Sequence, residues 1–128
     1  MKKENQPDER NTMHFKLIIA LTEDTITDKI VDAAKQKGAT GSTVITSAKG
    51  EGINASKTFF GLSLETQRDV VLLLVEEHLS RDVLEVIAEV GEFDASPGSG
   101  IAFSIDVDDA VGVSHQVSEL TEIVEEEI

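Results

Sequence analysis

The apolar run at residues 70–75, with the sequence VVLLLV, constrains the fold of this chain more than any other feature. A strand with one face in water alternates apolar and polar residues, whereas this run is apolar at every position. It is also much shorter than the roughly 20 residues that a transmembrane helix needs. We therefore predict a central strand that is covered on both faces.

The segments around this run set the order of the elements. Apolar residues recur at helical spacing in two stretches, one ending at Gly38 and one running from Leu79 to Gly91. Thr25 and Asp28 have the spacing of a capping box at the start of the first helix. Aliphatic or β-branched stretches predict further strands at residues 15–21, 42–48 and 101–107. The order β-α-β-β-α-β predicts an α+β fold, a ferredoxin-like sandwich with both helices on one sheet face.

Composition separates one domain from two polar ends. Residues 1–12 are polar with mixed charge and predict a disordered N-terminal arm. Residues 13–114 form the predicted domain, and residues 115–128 form an acidic C-terminal tail. No apolar stretch follows the charged N-terminus, so we expect no secretory signal and a cytoplasmic protein.

Charge excludes several classes of partner. The chain has 11 basic and 25 acidic residues, a net charge of −14. A field of this sign repels phosphate backbones and anionic headgroups, so we expect no nucleic-acid binding and no membrane insertion. The acidic excess fits either a solvated surface or a docking face for a basic partner, and composition does not separate the two. The absence of cysteine excludes disulfides, thiolate metal sites and cysteine nucleophiles.

Two loops are candidate functional segments. The stretch from Lys49 to Arg68 is long for a compact domain, which is typical of a functional loop. Alternation at Phe60, Leu62 and Leu64 also fits an extension of the next strand into a hairpin. The second loop, residues 94–100, ends in Gly-Ser-Gly, whose amides can converge on an anion. The same residues also form ordinary turns before strands.

Motifs for catalysis and metal binding are weak. The acidic clusters at residues 76–78 and 106–109 are typical of a solvated surface, and we predict no metal site. The sequence has neither a Gly-x-Ser-x-Gly elbow nor a Walker motif. An acylphosphatase-type enzyme needs an arginine after the first strand, where this chain has Glu23 and Asp24. We therefore predict a protein that is not an enzyme.

Three motifs together resemble the PII signalling family. They are GATGSTV at residues 38–44, KGEG at residues 49–52 and PGSG at residues 97–100. The resemblance implies a homotrimer that binds adenine nucleotides between subunits. It further implies that the loop between the second and third strands reads out the bound state. Such regulators control transporters, enzymes or transcription factors in nitrogen or inorganic-carbon metabolism, and a membrane transporter is the partner we expect here.

The resemblance also implies roles for particular residues. Thr43 matches a threonine near the adenine, Arg68 lies near a lysine at the end of the signalling loop, and His115 falls near an arginine. The glycines and the serine that match the loop root and the phosphate loop are Gly50, Gly52, Gly98, Ser99 and Gly100.

Departures from the family pattern change the expected ligand. The lysine after the phosphate-loop glycines is Ile101 here, and the two later arginines fall near Val113 and His115. Each lost charge-assisted contact is worth roughly 1.5–3 kcal/mol, so we expect AMP, ADP or a cyclic dinucleotide to be favoured over ATP. Relative to the family pattern, one extra residue lies between Thr43 and Lys49. The absence of tyrosine from the chain excludes uridylylation. The alternative is a trimeric adaptor, or a relative of the CutA ion-tolerance proteins, that binds no nucleotide.

Overall fold

A computed structural model describes residues 13–48, 58–59, 62–63 and 68–113. Its elements, in chain order, are β1 (Phe15–Glu23), α1 (Thr27–Gln36), β2 (Thr43–Ala48), β3 (Thr58–Phe59), β4 (Leu62–Ser63), β5 (Arg68–Glu76), α2 (Glu77–Gly91) and β6 (Gly100–Val107). Four strands form an antiparallel sheet in the order β2-β5-β1-β6. The predicted α+β, ferredoxin-like architecture is confirmed, and β5, which contains the VVLLLV run, lies inside the sheet.

The alternation of side chains along the strands gives the sheet two unequal faces. One face, with Ile18 and Leu73 at its centre, packs against Ile30 of α1 and Ile87 of α2, and these side chains are almost fully buried. The opposite face carries half-buried aliphatic residues of β1 and β5, such as Ile19. The helices of the described residues pack on the first face, so the second face is apolar without a helical cover.

The segment between β2 and β5 contains a small ladder of its own. β3 pairs antiparallel with β4 as a separate two-stranded sheet, with Thr58 opposite Ser63. β5 begins only at Arg68. The described residues of this segment thus contain a short antiparallel pair in a sheet separate from that of β5. Phe60 and Leu64, on which the alternative of an extended strand also rests, lie outside the described residues.

The predicted capping box of α1 is wrong. Ile26 occupies the N-cap position, and no side chain among the described residues caps the helix there. The hydroxyl of Thr27 instead donates to Asp69 Oδ2 at 2.7 Å. The helix therefore begins at a tertiary contact with β5.

No helix among the described residues is long and apolar enough to cross a membrane.

Candidate functional site

Arg68, the first residue of β5, joins the two segments that the sequence marks as candidate functional loops. Its guanidinium donates from Nη1 to the carbonyl oxygen of Ser99 at 3.0 Å and from Nη2 to that of Gly98 at 2.7 Å. Arg68 is 5% exposed, so these charge-assisted hydrogen bonds are shielded from water. The structure thus brings Arg68 together with the second candidate loop, residues 94–100, which we call the glycine-rich loop.

The glycine-rich loop is held as a defined turn. Gly98 has a φ of +79°, in the left-handed region that glycine adopts without a steric penalty. Ser99 is buried; its amide donates to Ser96 O at 3.1 Å and its hydroxyl donates to Glu92 O at 3.0 Å. The Ser99 amide is therefore bound within the turn. An anion nest that uses the amides of all three predicted residues requires this bond to be released.

The ring of Phe93 lies beside Gly91 and Gly100, and sequence reasoning missed it. A Cβ atom at Gly100 would lie 2.2 Å from Phe93 Cε1 and 2.8 Å from Leu21 O. A Cβ atom at Gly91 would lie 2.3 Å from the same ring atom. Both glycines make room for the ring, and Gly100 also accommodates the backbone of β1. One aromatic residue between two glycines, in a turn before a strand, was the signal available in the sequence.

Thr43 lies apart from the glycine-rich loop within one chain. It is exposed, pairs with Leu72 and lines a shallow groove of about 280 Å³ between the start of β2 and β5. Leu72 is four residues from Arg68 along β5, which corresponds to about 13 Å. The predicted residues on β2 and on the loop therefore do not meet in a single pocket of the described part of one protomer.

A bulge in β2 lies where the sequence has its extra residue. Ile45 pairs with Val70 but Ala48 pairs with Arg68, so β2 accommodates one more residue than β5 over this stretch. Ser47, inside the bulge, has a φ of +60°, which is uncommon for a residue with a side chain. The bulge restores the pairing of β2 with β5 just before Lys49.

Asp69, next to Arg68, contacts this bulge and was not among the predicted residues. It is 6% exposed and accepts a hydrogen bond from the Thr27 hydroxyl at 2.7 Å. Its Oδ1 accepts a longer one, of 3.4 Å, from the amide of Ser47. Asp69 lies directly opposite Thr22, whose buried hydroxyl has no hydrogen-bond partner among the described residues.

Several predicted features lie outside the described residues. They are Gly50, Gly52, His115, the N-terminal arm at residues 1–12 and the acidic tail at residues 115–128. Val113, near which the resemblance places an arginine, is buried in a small cluster with Phe15 and Leu79.

In each acidic cluster, one carboxylate forms a hydrogen bond or an ion pair with a neighbouring residue. Glu76, Glu77 and His78 each offer a donor atom within 4.8 Å of the others. Glu76 Oε1 accepts from the His78 amide at 2.8 Å, and its Oε2 lies 2.7 Å from His78 Nδ1. The hydrogen bond to Glu76 and then its negative charge raise the pKa of His78 above 6.5. In the other cluster, Asp106 pairs with Lys16 Nζ at 2.7 Å.

Comparison with known proteins gives one family and one fold. The family model for nitrogen regulatory protein P-II matches residues 15–116. A PII-like signalling protein from Thermus thermophilus is 23% identical, with a TM-score of 0.54 over 73% of this chain and 86% of that one. No match was found among the curated proteins.

The protein CPII from Thiomonas intermedia K12 is similar in two structures. Its apo form is 20% identical, with a TM-score of 0.57 over 73% of this chain and 89% of that one. Its complex with ADP, AMP and acetate is 21% identical, with a TM-score of 0.54 over 73% and 88% of the two chains. At this level of identity the structures establish a shared fold.

Proposed function

The chain belongs to the nitrogen regulatory protein P-II family of signalling proteins, which are not enzymes, and from that premise we propose that it is a trimeric regulator that binds an adenine nucleotide between subunits. The observation that carries the proposal is the contact of Arg68 with the carbonyl oxygens of Gly98 and Ser99. It joins the end of the loop at residues 49–68 to the glycine-rich loop. A ligand bound beside one of these segments therefore acts on the other.

The ligand that fits best carries less charge than ATP. CPII from Thiomonas intermedia K12 forms a complex with ADP and AMP. Ile101, a half-buried apolar residue, follows the glycine-rich loop here, and the chain carries a net charge of −14. Because phosphate binding gains most from charge-assisted contacts, a triphosphate loses more than a monophosphate at such a site. AMP, ADP or a cyclic dinucleotide is thus favoured over ATP.

A site between subunits accounts for the separation of Thr43 from the glycine-rich loop. The sheet face without helices exposes Ile45 of β2 to 50% and Ile105 of β6 to 48%, at its two opposite edges. Burial of apolar surface of this kind is the main favourable term in protein association. A homotrimer packed through this face would cover it and would bring Thr43 of one protomer towards the loop of another.

Regulation would act through the loop at residues 49–68. The bound nucleotide would change this loop, through the loop root at Gly50 and Gly52 and the contact of Arg68, so that it engages or leaves a partner protein. A membrane transporter is the partner that the family favours, and a cytoplasmic location fits that role. His115 would contribute a titratable contact to the ligand near the end of the domain.

One observation supports a second candidate, an adaptor that binds no nucleotide. The Ser99 amide is bound to Ser96 O within its own turn, an arrangement that needs no ligand. A thermal-shift series with AMP, ADP, ATP and cyclic di-AMP, run beside light scattering, separates the two. A stabilised trimer with AMP or ADP supports the regulator. A trimer whose melting temperature responds to none of them supports the adaptor, and a monomer contradicts both.

A further inference from the structure

We propose that Asp69 is a positioning residue that holds the bulge of β2 and so sets which residue of β2 lies opposite Arg68. The inference rests on the proposed function, because Arg68 contacts the glycine-rich loop beside which the nucleotide is proposed to bind. Asp69 is a buried carboxylate at the second position of β5. A buried charge of this kind is retained where hydrogen bonds satisfy it, so its partners indicate its role.

The partners of Asp69 belong to two different elements. Thr27, the first residue of α1, donates its hydroxyl to Oδ2 at 2.7 Å. Ser47, within the bulge of β2, donates its amide to Oδ1 at 3.4 Å. The short bond fixes the carboxylate against the helix, and the longer bond then holds the bulge at a set place on β5.

The bulge decides which residues of β2 meet Arg68. Without it, the pairing of Ile45 with Val70 would continue in step and Ser47 would lie opposite Arg68. With it, Ala48 takes that position. A displacement of one residue in a strand moves each side chain to the other face of the sheet. The bulge therefore sets which residue of β2 pairs with Arg68, the residue that contacts the glycine-rich loop.

The conformation of Ser47 needs an external support. A residue with a side chain is disfavoured at a φ of +60°, and serine has no special preference for it. A hydrogen bond from its amide to a buried carboxylate supplies that support. Because successive residues of a strand face opposite sides, Asp69 holds β2 and α1 on the helix side while Arg68 holds the glycine-rich loop. The consecutive residues Arg68 and Asp69 thus bond to different parts of the fold. Arg68 bonds to the glycine-rich loop, and Asp69 bonds to α1 and β2.

The test compares Asp69→Ala, the double variant Asp69→Ala with Ser47→Gly, and the control Thr22→Val in the full chain. Thr22 lies opposite Asp69 and is also buried, but its hydroxyl has no partner among the described residues. The readouts are the amide resonance of Ser47 in ¹H–¹⁵N spectra, the affinity for ADP by calorimetry, and the melting temperature.

We expect Asp69→Ala to move the Ser47 amide resonance and to weaken ADP binding about tenfold, which corresponds to about 1.4 kcal/mol. The added Ser47→Gly change should restore ADP affinity, since glycine adopts a positive φ without the carboxylate. A purely structural role of Asp69 would lower the melting temperature without this rescue. Thr22→Val should leave the Ser47 resonance and ADP affinity unchanged.

Two results would overturn the inference. One is a Ser47 resonance that Asp69→Ala moves no more than Thr22→Val does. The other is an ADP affinity that falls in Asp69→Ala and is not recovered by Ser47→Gly. If the wild-type protein binds AMP or a cyclic dinucleotide in place of ADP, that ligand replaces ADP in the comparison. If it binds none of the three, the proposed function fails, and the Ser47 resonance alone decides the role of Asp69. If Asp69→Ala does not fold, Asp69→Leu provides the same comparison, because leucine fills the site and offers the Ser47 amide no acceptor.

Discussion

The guanidinium of Arg68 donates through Nη2 to the carbonyl oxygen of Gly98 at 2.7 Å, across 30 residues of sequence. The Nη1 atom of the same group donates to the neighbouring carbonyl of Ser99. One side chain at the end of the loop at residues 49–68 therefore bonds directly to the backbone of the glycine-rich loop. The two segments that the family resemblance marks as functional are joined by this contact.

Removal of the Arg68 side chain should lower the free energy of unfolding, and the same variant should bind the nucleotide more weakly. Arg68→Met keeps most of the apolar stem but leaves two carbonyl oxygens without their charged donor. A hydrogen bond to a charged group contributes about 1.5–3 kcal/mol, and we expect the free energy of unfolding to fall by about that amount. Denaturant unfolding measures it. The control is Arg81→Met, whose exposed pair with Glu85 is worth under about 0.5 kcal/mol. Equal losses in the two variants would contradict the role given to Arg68.

A side chain at residue 98 should strain the glycine-rich loop. Gly98→Ala forces a Cβ atom into a backbone with a φ of +79°, at a cost of about 1–2 kcal/mol in the free energy of unfolding. Gly41→Ala is the matched control, since Gly41 is outside the left-handed region and no atom of the described residues lies within 4 Å of its Cβ position. We expect that variant to be neutral or slightly stabilising by thermal unfolding. A neutral Gly98→Ala would show that the loop readily adopts another turn.

The two glycines beside Phe93 should respond differently when the ring is removed. Gly91→Ala and Gly100→Ala each place a Cβ atom against the ring, and overpacking of this kind costs about 1–3 kcal/mol. In a Phe93→Ala background the cost of Gly91→Ala should vanish. The cost of Gly100→Ala should persist in part, because Leu21 O remains 2.8 Å away. Chemical denaturation of each single and double variant measures both costs. Full relief at residue 100 would mean that β1 yields to the new methyl group.

The contact of His78 with Glu76 should make stability depend on pH. The hydrogen bond and the charge of Glu76 raise the pKa of His78, so protonated His78 is favoured in the folded state. Its stabilising contribution is complete below the unfolded pKa of about 6.5 and is lost as the pH rises through the raised folded value. The melting temperature of His78→Gln should thus fall below that of the wild type at pH about 5.5 and approach it at pH about 9. An equal difference at both pH values would argue against the ion pair.

The fold could be predicted because its signals are local. The unbroken apolar run in β5 indicates a strand buried on both faces, and the helical spacing of apolar residues from Leu79 to Gly91 indicates a helix buried on one face. Neither signal depends on residues elsewhere in the chain. The start of α1 could not be read in this way. Thr25 and Asp28 have the right spacing for a capping box. The helix begins instead where the Thr27 hydroxyl donates a hydrogen bond to Asp69, which lies 42 residues away in the sequence.

The candidate site was predictable only in part, for the same reason. Gly98 and Gly100 are marked in the sequence by composition, and their turn geometry and close approaches require glycine. Asp69 has no such mark, because its function depends on Thr27 and Ser47, which only the folded sheet brings to it. A single acidic residue at the head of an apolar strand is not distinguishable by pattern from a solvated one.

Calorimetric titration of the wild-type protein with AMP, ADP and ATP tests the central claim most directly. The claim is that this member of the P-II family binds an adenine nucleotide at a site depleted of cations. We expect AMP or ADP to bind with one site per protomer of a trimer, and ATP to bind more weakly than either. Binding of ATP that is tighter than that of AMP, or the absence of binding by all three nucleotides, would contradict it.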